Sequence, residues 1–287
     1  MERFDIAIIG TGPAGLEAAI TAKVRNKSII LFGSAQSSEK VRKAHSIRNY
    51  LGLPHISGGD MQKTFLDHAL SMGAEISDEQ VTLVFPQEGF FSLQTSKGFY
   101  EAETVILASG VAPAKTYPGE EEFLGRGVSY CATCDAALYR GKVAAVIATS
   151  PDEEAEADFL SEFADKVLYF PLYKGDVHVR DSIEVHRERP LEITGQTKVA
   201  TLETDGGSHP VDGVFILRES VSPGQLVPGL EMDGNHVKVD RSMATNVEGL
   251  YAAGDITGTP YQYIKAAGEG NVAALAAATL IDARKRA

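Results

Sequence analysis

Cysteine is nearly absent. The chain of 287 residues has two, Cys131 and Cys134. A multi-disulfide scaffold is therefore excluded. Closely paired histidines are also missing. His45, His55, His68, His178, His186, His209 and His236 show no zinc-type pairing, so no metal site is expected. The chain has no basic excess: its formal charge is −12. That argues against sequence-independent binding to nucleic acid, which needs a basic face. No apolar run is long enough for a bilayer. The stretch Val272–Ile281 is too short, and its alanines suit a packed helix. Neither nucleic acid nor membrane is expected as a partner. Met1–Asp5 leads straight into an apolar strand, with no leader evident. A cytoplasmic location is the expectation, where a C-x-x-C pair is catalytic rather than structural.

What is present centres on Cys131-Ala132-Thr133-Cys134-Asp135. The spacing puts both sulfurs within bonding reach around a helix start. There the N-terminal dipole lowers a thiol pKa and favours the attacking thiolate. The pair reads as a disulfide that is made and broken. Two other readings stay open. A structural disulfide closing so short a loop restrains the unfolded chain little. A metal site needs further Cys or His ligands nearby. Asp135 suits a helix cap. It also suits a proton donor to the thiolate released when the disulfide opens.

The composition, 44% hydrophobic and 23% charged, is that of an ordinary globular protein. The length suggests about two domains. In the first, the apolar run Asp5–Ile9 is followed by Gly10-Thr11-Gly12-Pro13-Ala14-Gly15, a helix-forming stretch from Leu16, and a second apolar run, Ser28–Phe32. Strand, glycine turn, helix and strand make the context that gives G-x-G-x-x-G its meaning. Gly10 makes the tight turn, Gly12 admits a pyrophosphate to the helix N-terminus, and Gly15 lets helix and strand pack closely. The acid usual at the end of the second strand is replaced by Gly33-Ser34, so loop backbone would have to hold the ribose. Two later segments fit the same domain. Thr104–Gly110 is a buried strand ending in small residues, including Ala108 and Gly110. Gly249–Ile256 is another, containing Gly254 and Asp255. A long Ala-rich helical stretch follows, from about Tyr263 to Arg284.

With these pieces in order, the chain resembles the low-molecular-weight flavin thioredoxin reductases over nearly its whole length. Gly127–Asp135 and Ala252-Ala253-Gly254-Asp255 carry the resemblance most strongly. It implies an α/β fold of two Rossmann-like, three-layer ββα nucleotide-binding domains, the second inserted into the first. Residues 1–113 and 246–287 would form the FAD-binding domain, and residues 114–245 a degenerate NADPH-type domain carrying the C-x-x-C. The resemblance places Gly10, Gly12, Pro13, Ala14 and Gly15 at the FAD pyrophosphate, Ala108, Gly110 and Gly254 nearby, and Asp255 at a ribityl or phosphate-side hydroxyl. Asn49 and Gln262 match flavin-facing residues. Cys134 would lie against the flavin, and Cys131 would attack the substrate disulfide. A homodimer is implied.

The inserted domain departs from the family at three places. After the strand Lys142–Ile147 the family carries a glycine-rich turn for NADPH. Here stands Ala148-Thr149-Ser150-Pro151-Asp152-Glu153-Glu154-Ala155-Glu156, with no glycine and four carboxylates. These acids suit a helix dipole. Toward a phosphate ~4 Å away each unit charge is repulsive by on the order of 1–4 kcal/mol. The His-Arg-Arg grip on a 2′-phosphate is replaced by Pro171-Leu172-Tyr173-Lys174. The stretch after Gly213–Leu217 runs into Arg218-Glu219-Ser220.

Ordinary NADPH binding is thus expected to be lost, and the pattern is most like the ferredoxin-dependent flavin thioredoxin reductases. Electrons would pass from reduced ferredoxin to FAD, then to Cys131–Cys134, then to thioredoxin. Candidate ferredoxin-docking patches are Lys40–Lys43, the group Lys174, Arg180, Arg187 and Arg189, and Arg284–Arg286. Rotation of the inserted domain is expected, with hinges near Val111–Pro113 and Met243–Thr245. Three alternatives share these motifs: a reductase still using NADH or NADPH through other contacts, a dithiol oxidase passing electrons to oxygen, and an FAD/disulfide redox sensor without turnover.

Overall fold

Apolar runs become buried parallel strands in this computed structural model, which describes residues 3–34, 45–95, 97–110, 116–217 and 222–286. Arg3–Ile9 forms β1, buried from Ile6 onward, as a central parallel strand must be. Pro13–Val24 forms α1, with Pro13 in its first turn, where a missing N–H is harmless. Ile29–Phe32 is β2 and Gly58–Ser71 is α2. Next come β3 (Ile76–Ser77), β4 (Val81–Pro86), β5 (Phe91–Thr95) and β6 (Phe99–Leu107).

The middle of the chain contains β7 (Val128–Ser129), α3 (Ala132–Asp135), β8 (Val143–Ala148), α4 (Glu154–Leu160), β9 (Lys166–Pro171) and β10 (Glu184–Val185). It continues through β11 (Pro190–Gly195), β12 (Val199–Thr204), β13 (Ser208–Pro210) and β14 (Gly213–Leu217). The last part holds α5 (Pro223–Leu226), β15 (Met232–Asp233), β16 (His236–Val237), β17 (Leu250–Ala252) and α6 (Tyr263–Arg284).

Two compact units result, Met1–Pro113 with Ser222–Ala287, and Ala114–Val221. In the first, the sheet order is β3-β2-β1-β6-β5-β4, and β17 joins β6. The strand β6 forks. Its start pairs antiparallel with β5, and its end lies parallel to β17. That antiparallel pairing is why β6 begins before the expected Thr104. The helices α1 and α6 cover Ile6, Ile8, Leu31 and Ile106. They approach closely because their facing residues are small: a Cβ on Gly270 of α6 would come 2.1 Å from the Ala14 carbonyl oxygen.

The second unit has a parallel sheet in the order β10-β9-β8-β14-β7 and an antiparallel β11-β12-β13 meander. Side chains alternate along its buried strands. Val146, Tyr169 and Phe215 face the layer of Ala132, Ala136 and Leu160. Ile147, Phe170 and Ile216 face Ile193, Val199 and Leu202 of the meander. Helix, sheet and meander make the three-layer ββα arrangement.

The chain enters its first unit again at Ser222, earlier than the expected 246. Packing explains the difference. The short helix α5 lies on β4, and Asn246 accepts from the Glu231 N–H at 2.9 Å and donates to the Gly229 carbonyl at 2.9 Å. Ala244 bridges to Tyr251 of β17. Met243–Thr245 is thus an edge of the first unit rather than a hinge. The other expected hinge, Val111–Pro113, lies outside the described residues. Among those described, no helix is long and apolar enough to cross a membrane.

Candidate active site

The glycine turn after β1 is built by close approach. Gly10 has φ +118°, and a Cβ there would sit 2.3 Å from the Ala108 carbonyl oxygen at the end of β6. A Cβ on Gly15 would meet the Gly10 oxygen at 1.8 Å. Gly12 differs. Its backbone is extended, and a Cβ would meet nothing within 4 Å. Gly12 caps α1 without any side-chain hydrogen bond, and the first turn carries no acid. The positive end of α1 is therefore open, as a pyrophosphate site requires. Buried Gln62 steadies the turn by donating to the Thr11 carbonyl at 2.8 Å. Thr11 in turn donates to the Ser34 carbonyl at 2.6 Å, beside the missing acid.

Residues far apart in sequence converge around this turn. Asn49 Nδ2 donates to Gln262 Oε1 at 2.6 Å. Gly254 and Asp255 open a helical turn over Asp255–Thr257. Lys265 holds that turn by donating to the Gly254 and Gly258 carbonyls, each at 2.8 Å. Glu269 accepts from the Gly254 N–H at 2.9 Å and pairs with Lys265 at 3.0 Å. Ala108 is buried, and Gly110 ends the turn after β6 with φ +73°.

In the second unit, Cys131 and Cys134 form a disulfide. Cys131 is the N-cap of α3, and its sulfur accepts from the Cys134 N–H at 3.2 Å. Cys131 is 4% exposed, while Cys134 is half-buried. Ser129 joins the pair to Asp135: its hydroxyl donates to Asp135 Oδ2 at 2.7 Å and accepts from the Cys131 N–H at 3.2 Å. Glu156 Oε2 accepts from the Ala132 N–H at 2.9 Å. No sequence motif marked Glu156 as a neighbour of the sulfurs, because the contact depends on how α3 meets α4.

The turn after β8 is filled from within. Glu153 Oε2 accepts from the Thr149 N–H at 2.5 Å and the Ser150 N–H at 2.9 Å, and Glu153 Oε1 accepts from the Thr149 hydroxyl at 3.2 Å. Ser150 caps in return, forming a capping box. Burial pushes the Glu153 carboxyl up to about 7, against the pull of the Ser150 and Thr149 N–H groups. The strand β9 leads to Tyr173, whose hydroxyl donates to Glu154 at 2.5 Å. Arg187 lies beside it, its guanidinium donating to the Tyr173 carbonyl at 3.4 Å.

The expected basic patches are largely engaged. Arg180 pairs with Glu162 at 2.6 Å, Arg189 with Asp205 at 3.7 Å, Arg284 with Glu248 at 2.9 Å and Lys285 with Asp5 at 2.7 Å. Arg187 donates to the Gly175 carbonyl at 2.8 Å. Lys40–Lys43 and Arg218–Ser220 lie outside the described residues. One group that the sequence reading passed over is His186, Glu188 and His209, which converge in the second unit. Their separation along the chain matches no short motif.

A glycine turn open to a pyrophosphate and a disulfide at a helix N-cap define a dinucleotide-dependent disulfide oxidoreductase. Comparison with known proteins agrees. The model of the pyridine nucleotide-disulphide oxidoreductase family matches residues 4–147 and 173–270. A thioredoxin reductase of Treponema pallidum is 34% identical, over 97% of this chain and 97% of its own. The chain belongs to the pyridine nucleotide-disulphide oxidoreductase family and, within it, to the thioredoxin reductases, which are FAD flavoproteins. Among solved structures, a ferredoxin-flavin thioredoxin reductase from Clostridium acetobutylicum is 49% identical over the whole of both chains, with a TM-score of 0.90. A thioredoxin reductase from Gloeobacter violaceus is 31% identical over 99% of this chain and 95% of its own, with a TM-score of 0.79.

The first unit fits FAD. The open cap at Gly12 leaves room that a Cβ would fill, and no side chain competes for the first amides of α1. The turn after β8 offers no such room for a second dinucleotide.

Proposed function

We propose that this chain reduces a thioredoxin disulfide with electrons delivered by reduced ferredoxin, and takes none from NADH or NADPH. The observation that carries the choice of donor is Glu153. Its carboxyl holds the Thr149 and Ser150 N–H groups that a nucleotide phosphate would need. Likeness to the ferredoxin-flavin thioredoxin reductase of Clostridium acetobutylicum supports the same reading.

On this reading Gly10, Gly12, Pro13, Ala14 and Gly15 hold the FAD pyrophosphate, with Ala108 and Gly110 beside it. Gly254 and Asp255 hold the ribityl side, and Asn49 and Gln262 face the ring. FAD bound there supplies the step from single electrons to an electron pair.

The sulfur chemistry follows from the pair itself. In the dithiol form, the Cys131 thiolate attacks one sulfur of the thioredoxin disulfide and displaces the other as a thiolate. The Cys134 thiolate then attacks Cys131, which restores the Cys131–Cys134 bond and frees the second thioredoxin thiolate. Both freed thiolates take up protons. Asp135, held by Ser129 at 2.7 Å, gives a proton to the thiolate released when the Cys131–Cys134 bond is next opened, and regains it from solvent. Cys131 is too buried, at 4% exposure, to meet a protein disulfide without a conformational change. A cytoplasmic homodimer completes the reading, and sedimentation velocity tests the dimer.

Anaerobic stopped-flow mixing tests the donor. Reduced ferredoxin should bleach the flavin absorbance rapidly, and NADPH or NADH should leave it unchanged. Rapid bleaching by a pyridine nucleotide overturns the reading.

A further inference from the structure

We infer that His186, Glu188 and His209 form a binding site for one divalent transition-metal ion, with Zn2+ the best fit. The site lies wholly within the second unit. Three segments build it. Glu184 opens β10, and in the run after it His186 lies between two carboxylates, 3.2 Å from Glu184 Oε1 and 3.8 Å from Glu188 Oε1. His209 comes from β13, paired opposite Leu202 of β12. Thr204, at the end of β12, stands beside Glu188.

The ligand atoms are already gathered. His209 Nε2 lies 2.7 Å from Glu188 Oε2, and His186 Nδ1 lies 3.8 Å from Glu188 Oε1. One ligand atom from each residue falls within 4.8 Å of the others. Bonds of ~2.0–2.2 Å around a tetrahedral ion bring such atoms to ~3.4 Å apart, so side-chain shifts of about 1 Å suffice. The two imidazole side chains are each 17% exposed and the Glu188 side chain 31%. The half-open side leaves a position for water.

The surroundings favour this use. His186 Nε2 is buried without a hydrogen bond, 3.2 Å from Glu184 Oε1. A modest ring rotation toward a bound ion gives the arrangement in which a carboxylate orients a metal-bound imidazole. Thr204 donates to Glu188 Oε2 at 2.5 Å and holds that carboxylate in place. Gly206 makes room for it, since a Cβ there would sit 2.4 Å from the Glu188 carboxyl carbon. Phe170 stacks on His186 with centroids 5.1 Å apart and meets His209 edge-on at 5.3 Å. Charge is arranged to match. Lys166 neutralises Glu184 at 2.6 Å. Arg187 is turned to the Gly175 carbonyl and Arg189 toward Asp205. Glu188 remains as the carboxylate facing both rings. Two imidazoles and one carboxylate suit Zn2+, whereas Mg2+ and Ca2+ favour oxygen alone.

The test is calorimetric titration of Zn2+ into the chelator-stripped, FAD-loaded protein, kept oxidised so that Cys131 and Cys134 offer no thiolate. Binding of one equivalent at ~1 µM or tighter is expected, with a rise in Tm and no response to Mg2+. H186N and H209N should each weaken binding at least ~10-fold, and E184Q, which spares all three ligands, should weaken it by ~10-fold. Flavin absorbance and circular dichroism check that each variant is folded. If H209N does not fold, H186N and E184Q carry the test. Affinity weaker than ~100 µM in the wild type, or binding in folded histidine variants equal to wild type, overturns the inference.

Discussion

The Ala132 N–H donates to Glu156 Oε2 at 2.9 Å, so a half-buried carboxyl occupies an amide at the start of the helix that carries both sulfurs. Without Glu156 that amide would be free to stabilise a Cys131 thiolate, as helix N-termini do. Burial raises the Glu156 carboxyl above its ordinary range, against the pull of the Ala132 N–H. Once ionised, it opposes a second negative charge on the neighbouring sulfur.

Glu156→Gln keeps an acceptor and removes that charge. In the reduced enzyme, the pH profile of iodoacetamide alkylation should shift to lower pH, with Cys131 reacting ~3–10-fold faster near neutrality. An unshifted profile reduces Glu156 to a packing role.

Glu153 carries a stability signature. Burial raises its folded pKa to about 7 from the ordinary 4.5. A raised carboxyl contributes its full stability below the unfolded pKa and loses it as pH climbs through the folded one. Relative to Glu153→Gln, the wild type should lose on the order of 2 kcal/mol between pH ~4.5 and ~7.5, after allowance for solvent screening. Thermal unfolding of both proteins across that range reads it. Parallel curves overturn the assignment.

Two glycines of one turn should fail in different ways. A methyl on Gly15 would collide with the Gly10 carbonyl at 1.8 Å, so Gly15→Ala should lose several kcal/mol of stability along with FAD. A methyl on Gly12 meets no protein atom within 4 Å. Gly12→Ala should therefore fold, with FAD affinity down at least ~10-fold. Flavin content after gel filtration and the Tm of the apoprotein separate the two.

The cysteines should differ as trap and non-trap. Cys134→Ser leaves the attacking sulfur without its partner, so a mixed disulfide with thioredoxin should accumulate on non-reducing gels. Cys131→Ser should form none. Turnover should fall by ~10³-fold or more in both. A trap formed by Cys131→Ser alone would reverse the two roles.

Local signals made much of this fold legible. The runs at Asp5–Ile9 and Lys142–Ile147 became β1 and β8, because a strand buried on both faces is continuously apolar. Tyr263–Arg284 became one helix with the expected ends. The cysteine pair fell at a helix start, as its spacing implied. Non-local packing was harder to read. The return to the first unit at Ser222 depends on α5 meeting β4, and no local pattern encodes that meeting. The acids after β8 were expected to repel a phosphate. That one of them would turn back and take the turn's own amides required the geometry. His186 and His209 escaped notice because β12 and the loop before β13, rather than a short spacing, bring them together.

The Glu153 carboxyl cannot diffuse away from the amides it holds. A group tethered this closely faces its site at an effective concentration of ~mM or more, and it is never consumed. If electrons enter as proposed, a rise in cellular NADPH has no purchase on the disulfide. Thioredoxin reduced in that way would track the supply of low-potential single electrons, insulated from the pyridine-nucleotide pool. A side chain that serves as a helix cap would then also decide which metabolic reservoir the cell's thiols report.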